Sequence, residues 1–519
     1  MIRYQSQNQI SIEEFKTPFQ QKLSADNRWV KLSRIIPWDD LATSYYKALS
    51  KDQGRPGIDA RRIIGALIIK HKLNLSDEET VLQIQENAYF QYFLGYSSYE
   101  EKLVFSPTLF VEIRKRIGNE QFDEMHSSII KLAFESKRNK PGPRHRKDHL
   151  KDNDSDNDGD SSSSTSNSVE NESSQNKGKL LMDATVAEQQ IKYPNDLELL
   201  NDSRMVSEEI IDLLYPLSGL NKKPRTYRRV ARKDYLVIAK QKNKNKKMLR
   251  KSICKQLNYL SRDIKYIERM LDIIPGMEFP LNAKWQRRYW IVKEIYRQQK
   301  HMYDMKEHSF PDRIVSISQP HVRPIVRGKT KTNVEFGSKI GASMIDGYAV
   351  PDTISWDAYN ESTDMKKQVE KYKMTFGYYP ESVLADTIYG TRENRAYLKS
   401  KGIRFIGKPL GRPKKETEEN KEELRKERQQ RKRDYRERIP IEGKFGQGKN
   451  GYRLNKIRAK LQNTSEAWIN CIFLVMNIVK FASEKINSIF LKAIFILKFF
   501  FKPINSFFYS NFSKLNYAF

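Results

Sequence analysis

Lys179-Leu180-Leu181-Met182-Asp183-Ala184-Thr185-Val186 is a short apolar run carrying one carboxylate near its end. A run of this length and character fits a buried strand rather than an amphipathic helix. Asp183 is therefore the first candidate site residue.

The pattern recurs at Ser382-Val383-Leu384-Ala385-Asp386, a second buried strand ending in a carboxylate. Before it, a helix is expected over 364–376, closed by Gly377 and Pro380; after it come a helix from Arg392 and a strand Arg404-Phe405-Ile406-Gly407. Strand character also occurs over 313–317 and 334–344. In the second of these, Val334, Phe336, Ile340, Ala342 and Met344 alternate against Glu335 and Lys339. Strands interleaved with helices predict an α/β layer with a mixed sheet, whose ligands sit at the carboxyl ends of strands.

Outward from this frame, residues 197–305 read as helical and strongly basic, with Arg228, Arg229, Arg232, Lys233, Lys244, Lys246, Lys247, Arg250 and Lys251 among aromatics such as Tyr227, Tyr235, Tyr259, Tyr266, Trp285 and Trp290. Cations interleaved with rings can hold a phosphate backbone and stack on exposed bases, although rings in helices more often face a core. Residues 10–118 read as a compact helical unit with Ile63, Ile64, Leu67 and Ile68 at helical spacing. Ser76 and Glu79 form a capping box, and Ser106-Pro107 places a cap before a first-turn proline. Its last helix carries Arg114, Lys115 and Arg116, as a sequence-reading helix could.

Residues 137–178 turn to Lys, Arg and Pro and then to Asp, Asn and Ser, a composition that cannot bury a core and predicts a disordered linker. Asp154, Asp156, Asp158 and Gly159 imitate a calcium loop, but Thr165 stands where the twelfth-position Glu belongs. A charged segment over 414–438 leads into Pro440-Ile441-Glu442, and glycines at 443, 446, 448 and 451 weaken the helix signal there. An apolar helix is expected over 468–481. Its lysines, and those that follow, interrupt the run a membrane span needs.

The chain of 519 residues carries a formal charge of +30, from 94 Lys and Arg against 64 Asp and Glu. Polyanions are the natural partner of such a surface, and nucleic acid repays it best through counterion release. Two cysteines, Cys254 and Cys471, exclude a disulfide framework and a four-ligand zinc site, and suit a reducing cytoplasm. The N-terminus lacks the apolar core of a secretory signal, so the protein is expected to stay with the chromosome.

Two strand-end carboxylates plus a third from a later segment are what a two-metal site requires, since magnesium prefers hard oxygen ligands and leaves room for phosphate. Tyr435, Arg438, Glu442 and Lys449 add a spacing of two, three and six intervening residues. That spacing resembles the signature of bacterial insertion-sequence DDE transposases. Asp183-Ala184-Thr185 with Tyr193-Pro194-Asn195-Asp196 resembles the same group, as do the segment from Ala385 to Asn394, Arg323 to Lys329, and Glu335-Phe336-Gly337.

The resemblance covers about 10–482 and implies a ribonuclease H-like domain over 179–483, interrupted by the helical insertion at about 197–305, with Asp183 on its first strand, Asp386 on its fourth and Glu442 on a following helix. It also implies a DNA-end-binding domain over 1–136. Asp183, Asp386 and Glu442 would bind two Mg²⁺ ions, or Mn²⁺ in their place; Tyr435, Arg438 and Lys449 would hold phosphates, with Arg228, Arg229, Arg232 and Lys233 as further DNA contacts. The expected partners are terminal inverted repeats and target DNA, with a homodimer joining two ends. A decayed copy kept for DNA binding is the alternative, and a repair nuclease shares the chemistry. The segment 484–519 resembles nothing in the group. His321 reads as structural, and Lys408, Arg412, Lys414 and Lys415 as a solvated basic loop.

Overall fold

A computed structural model describes residues 15–500 except 17–21, 50–56, 103, 139–175, 244, 277, 327–333, 412–416 and 418–419. Most of the expected linker, the Asp154 motif, Lys244, Arg327 to Lys329, Arg412, Lys414, Lys415 and the tail beyond residue 500 lie outside the described residues.

The chain opens with helices α1 (Arg28–Ile35), α2 (Trp38–Tyr46), α3 (Ala60–Leu73), α4 (Asp77–Glu86), α5 (Ala88–Phe93), α6 (Leu109–Arg116) and α7 (Asn119–Arg138). Ser76 Oγ accepts from the Glu79 N–H at 3.0 Å, capping α4 as expected. The expected cap at Ser106 is corrected. Thr108 is already in helical conformation and α6 begins at Leu109, while the Ser106 hydroxyl closes a turn onto the Thr108 N–H at 3.4 Å. Arg114 is also turned inward: it is 4% exposed and paired with Asp77 at 2.6 Å, so it does not lie on a groove-reading face.

Strand β1 (Lys179–Glu188) follows, then the insertion α8 (Asp196–Leu214), α9 (Arg228–Ala239), α10 (Lys246–Ile273) and α11 (Ala283–Met305). Next come β2 (Arg323–Val326), β3 (Val334–Ile345), β4 (Tyr348–Ser355), α12 (Asp364–Phe376), β5 (Ser382–Ala385), α13 (Arg392–Ser400), β6 (Arg404–Ile406), α14 (Lys421–Gly451) and α15 (Gln462–Phe500). The strand expected over 313–317 does not form. Ile314 and Val315 are buried in the loop ahead of β2, so their apolar pattern reports packing rather than pairing.

The sheet is mixed. β1 pairs antiparallel with β3 on one flank and parallel with β5 on the other, and β6 lies parallel beside β5. β4 and the short β2 share the far flank of β3. Gly337 is required by close approach: a Cβ there would lie 1.9 Å from the Ala187 carbonyl oxygen.

One apolar cluster joins the N-terminal helices to the sheet, holding Trp29, Phe93, Phe110 and Ile129 together with Leu181, Leu384, Ile441 and Ile472. α15 is its spine. Gln462–Ser488 is long and apolar enough to cross a membrane, but 83% of that apolar window is buried inside the protein, the behaviour of a core helix. The Asn477 side chain bonds both Ala349 backbone groups, at 2.8 and 3.1 Å, and lies 3.1 Å from His126 Nδ1, tying α15 to β4 and α7.

Candidate active site

The register places the first two carboxylates. Met182 lies opposite Ala385 across the parallel β1–β5 pair, so Asp183 and Asp386 are the next residues on neighbouring strands. β5 ends there while β1 continues to Glu188, so among the described residues no strand pairs with that flank of β1 beyond Asp183, and Ile457 bridges to Gln189 just past its end. α14 packs across β1 and β5, burying Ile441 and Phe445 and bringing Glu442 to the same end of the sheet.

Asp183 is 18% exposed, and its Oδ1 accepts from the Ala184 N–H at 2.9 Å. Burial pushes its carboxyl up to about 6; the Ala184 N–H and Arg438 pull against this, while Asp386 and Glu442 add to it. Asp386 is exposed and caps a one-turn 3₁₀ helix, Thr387–Tyr389, accepting from the Thr387 N–H at 2.7 Å. Glu442 is half-exposed and accepts from Arg438 Nη2 at 2.5 Å. The same guanidinium places Nη1 3.7 Å from Asp183 Oδ2, and its carbon lies 5.5 Å from the Tyr435 ring centre.

Tyr435 is exposed and Lys449 is half-buried near the end of α14. Glu442 lies on a helix, as the resemblance implies, despite the glycines that weaken its signal. α14 runs unbroken through Pro440, Gly443, Gly446 and Gly448 because tertiary burial of Ile441, Lys444, Phe445 and Gly448 outweighs weak propensity. Lys179 Nζ pairs with Glu437 at 2.8 Å and fixes α14 against the start of β1. This pair went unnoticed in the sequence because it spans the insertion. Ile388 and Ile439, each 44% exposed, are apolar residues kept at solvent close in sequence to Asp386 and Glu442, a second signal passed over. Among the described residues, no three His, Cys, Asp or Glu side chains are gathered tightly enough to form a ready metal cage.

The four basic residues marked on α9 separate. Arg228 is tied to Asp212 at 2.8 and 3.1 Å and lies 3.8 Å from Glu208, so it is part of the insertion's internal charge network. Arg229, Arg232 and Lys233 are exposed. Of the rings, Tyr289 is buried, whereas Trp290 is 55% exposed and Tyr227 lies against the Arg225 and Arg262 guanidiniums at 4.5 and 4.6 Å. His321 stacks edge-on against Trp356 at 4.4 Å, and burial and nearby arginines lower its pKa to about 4, which suits a structural role.

Residues 383–479 match the family model of a transposase DDE domain, and residues 17–116 match that of a second transposase domain, DUF772. Together the two matches support an insertion-sequence DDE transposase. The first match takes in Asp386, Tyr435, Arg438, Glu442 and Lys449, and Asp183 lies outside both. The transposase is also 30% identical over 115 residues to a Rhizobium meliloti protein described as the uncharacterized protein ORF8 of the nfe locus. That alignment covers 22% of this chain and 54% of the relative, so the transposase spans about half of the relative's length. No solved structure matches it.

Proposed function

We propose that this transposase nicks DNA at the ends of its own element and joins the freed 3′-hydroxyls to target DNA, using Mg²⁺ held by Asp183, Asp386 and Glu442. The observation that carries the reading is the placement of Asp183 on β1 beside Asp386, just past the end of the parallel β5, with Glu442 brought to them by α14. The order β4, β3, β1, β5, β6, with β3 alone antiparallel to β1, supports a ribonuclease H-like arrangement.

The donor set suits hard divalent ions: burial, with a smaller push from the charges of Asp386 and Glu442, raises the Asp183 carboxyl to about 6. When bound, a metal pair lowers the pKa of a water or 3′-hydroxyl and stabilises the leaving oxygen. The chain's own residues do the rest. Asp183 and Asp386 would hold the ions where β5 ends beside β1, in the middle of the sheet, and Glu442 would reach them from a helix. Tyr435, Arg438 and Lys449 lie along α14 where they can orient phosphates, and Arg229, Arg232 and Lys233 extend a basic face for the flanking duplex. Double-stranded element ends and target DNA are the substrates, a homodimer pairs two ends, and the work is done at the chromosome in the bacterial cytoplasm.

The test uses duplexes carrying the inverted repeats that flank the gene. Wild type is expected to nick them with Mg²⁺ and to join pre-cut ends to a plasmid. Asp386→Asn should bind the same duplex without nicking it. Hydrolysis without joining would point to a nuclease, and binding without nicking by wild type to a decayed copy.

A further inference from the structure

Arg438 occupies an unusual place for a residue meant to hold DNA. Its side chain is only 15% exposed, and its two terminal nitrogens are committed to different carboxylates: Nη2 to Glu442 at 2.5 Å and Nη1 toward Asp183 at 3.7 Å. Both carboxylates belong to the proposed metal set. A guanidinium and a divalent ion draw on the same carboxylate charge and repel each other at such separations. A phosphate contact would likewise require Arg438 to leave this pocket, because a side chain so covered has little surface to offer.

We infer that Arg438 is a resident counter-ion of the carboxylate cluster, displaced onto a DNA phosphate as the metal enters, so that DNA and divalent metal bind cooperatively. The inference rests on the metal-site reading above. In the DNA-free state Arg438 neutralises Glu442 and part of the Asp183 charge, and so competes with the ion. With DNA present a phosphate offers the guanidinium an equivalent partner, and the carboxylates are released. Tyr435, 58% exposed with its ring centre 5.5 Å from the guanidinium carbon, gives the departing side chain an aromatic surface to slide across. Linkage makes the effect reciprocal: if DNA tightens metal binding, metal tightens DNA binding by the same factor. Arg438 is thus a positioning residue acting through Asp183 and Glu442.

The probe is Mn²⁺ alone, titrated into full-length protein by electron paramagnetic resonance, without and then with a saturating duplex. Without DNA, Arg438→Gln is expected to bind Mn²⁺ roughly tenfold more tightly than wild type, within the usual range of coupling. Arg438→Lys keeps the charge and should stay near wild type. Duplex should tighten Mn²⁺ binding by wild type and leave Arg438→Gln little changed, closing the gap. Equal or weaker Mn²⁺ binding by a folded Arg438→Gln, or a wild-type affinity indifferent to DNA, overturns the inference. Asp183→Asn and Asp386→Asn separate the two readings: both should lose Mn²⁺ binding. If they bind it as wild type does, the metal site itself is misassigned and the inference falls with it.

Discussion

Replacing Asp77 with Asn should unfasten the N-terminal helices from the rest of the transposase. Asp77, the first residue of α4, accepts from Arg114 at 2.6 and 3.0 Å and lies 2.8 Å from Lys70 Nζ. Lys70 is 1% exposed and Arg114 4%, and both cations sit over the Trp468 ring of α15, at 4.6 and 5.0 Å. Asn keeps the shape and removes the charge, leaving two buried cations without a counter-ion. Breaking a buried pair in this way costs about 3–5 kcal/mol. Because Asp77 is itself 23% exposed, water offsets part of the loss and a value near 3 kcal/mol is expected.

Urea unfolding followed by tryptophan fluorescence measures it, since Trp468 lies against the altered charges. The pH dependence supplies a second readout. Burial acting alone would raise the Asp77 carboxyl, but Arg114 and Lys70 outweigh it and hold the carboxyl below the usual range. A depressed folded value means that the stabilisation is present above the unfolded value of about 3.9 and lost as pH falls through the folded one. The gap between wild type and Asp77→Asn should therefore close in acid. A loss under about 1 kcal/mol at neutral pH, the size of a surface pair, would refute the buried network and the shared core it belongs to.

Three further outcomes are expected. Asp263 of α10 is fully buried, neither of its oxygens has a hydrogen-bond partner in the structure, and burial pushes it up to about 7. A raised folded value gives stability below about pH 3.9 that is lost as pH rises through 7, so Asp263→Asn should be more stable than wild type at pH 8 by on the order of 4 kcal/mol. Melting temperatures across pH 4–8 check this, and a variant less stable at pH 8 counts against it. Gly337→Ala forces a Cβ onto the Ala187 carbonyl and should cost several kcal/mol or prevent soluble folding, read by expression and urea midpoint; a stable variant would mean that β1 and β3 are spaced differently. Neutralising Arg229, Arg232 and Lys233 should weaken duplex binding and flatten its salt dependence, by up to about 0.9 in slope per phosphate lost, whereas Arg228→Ala should chiefly lower stability. Equal salt slopes for the triple variant and wild type would remove DNA from that face.

The two strands carrying the aspartates were legible because each is an apolar run too short for a helix, and α12, α13 and β6 were legible from their punctuation. That Asp183 and Asp386 are neighbours was not, since 203 positions (386 − 183) separate them and pairing partners leave no local trace. The sequence signal of α14 was weakened by Pro440 and four glycines, whose local preference yields to burial of Ile441 and Phe445. β4 escaped notice because Pro351 and Asp352 interrupt its strand character, although Tyr348, Ala349 and Val350 are buried. The 313–317 run misled for the opposite reason, being apolar and buried without a ladder. Arg114 and Arg228 read as surface cations, and only the fold reveals their internal partners Asp77 and Asp212.

The central claim is that Asp183, Asp386 and Glu442 form one metal-dependent centre for DNA cleavage. The most direct measurement is Mg²⁺-dependent nicking of an element-end duplex by Asp183→Asn, Asp386→Asn and Glu442→Gln, each first shown by gel shift to bind that duplex as wild type does. All three are expected to fall to the uncatalysed background. Wild-type nicking by any one of them would contradict that claim.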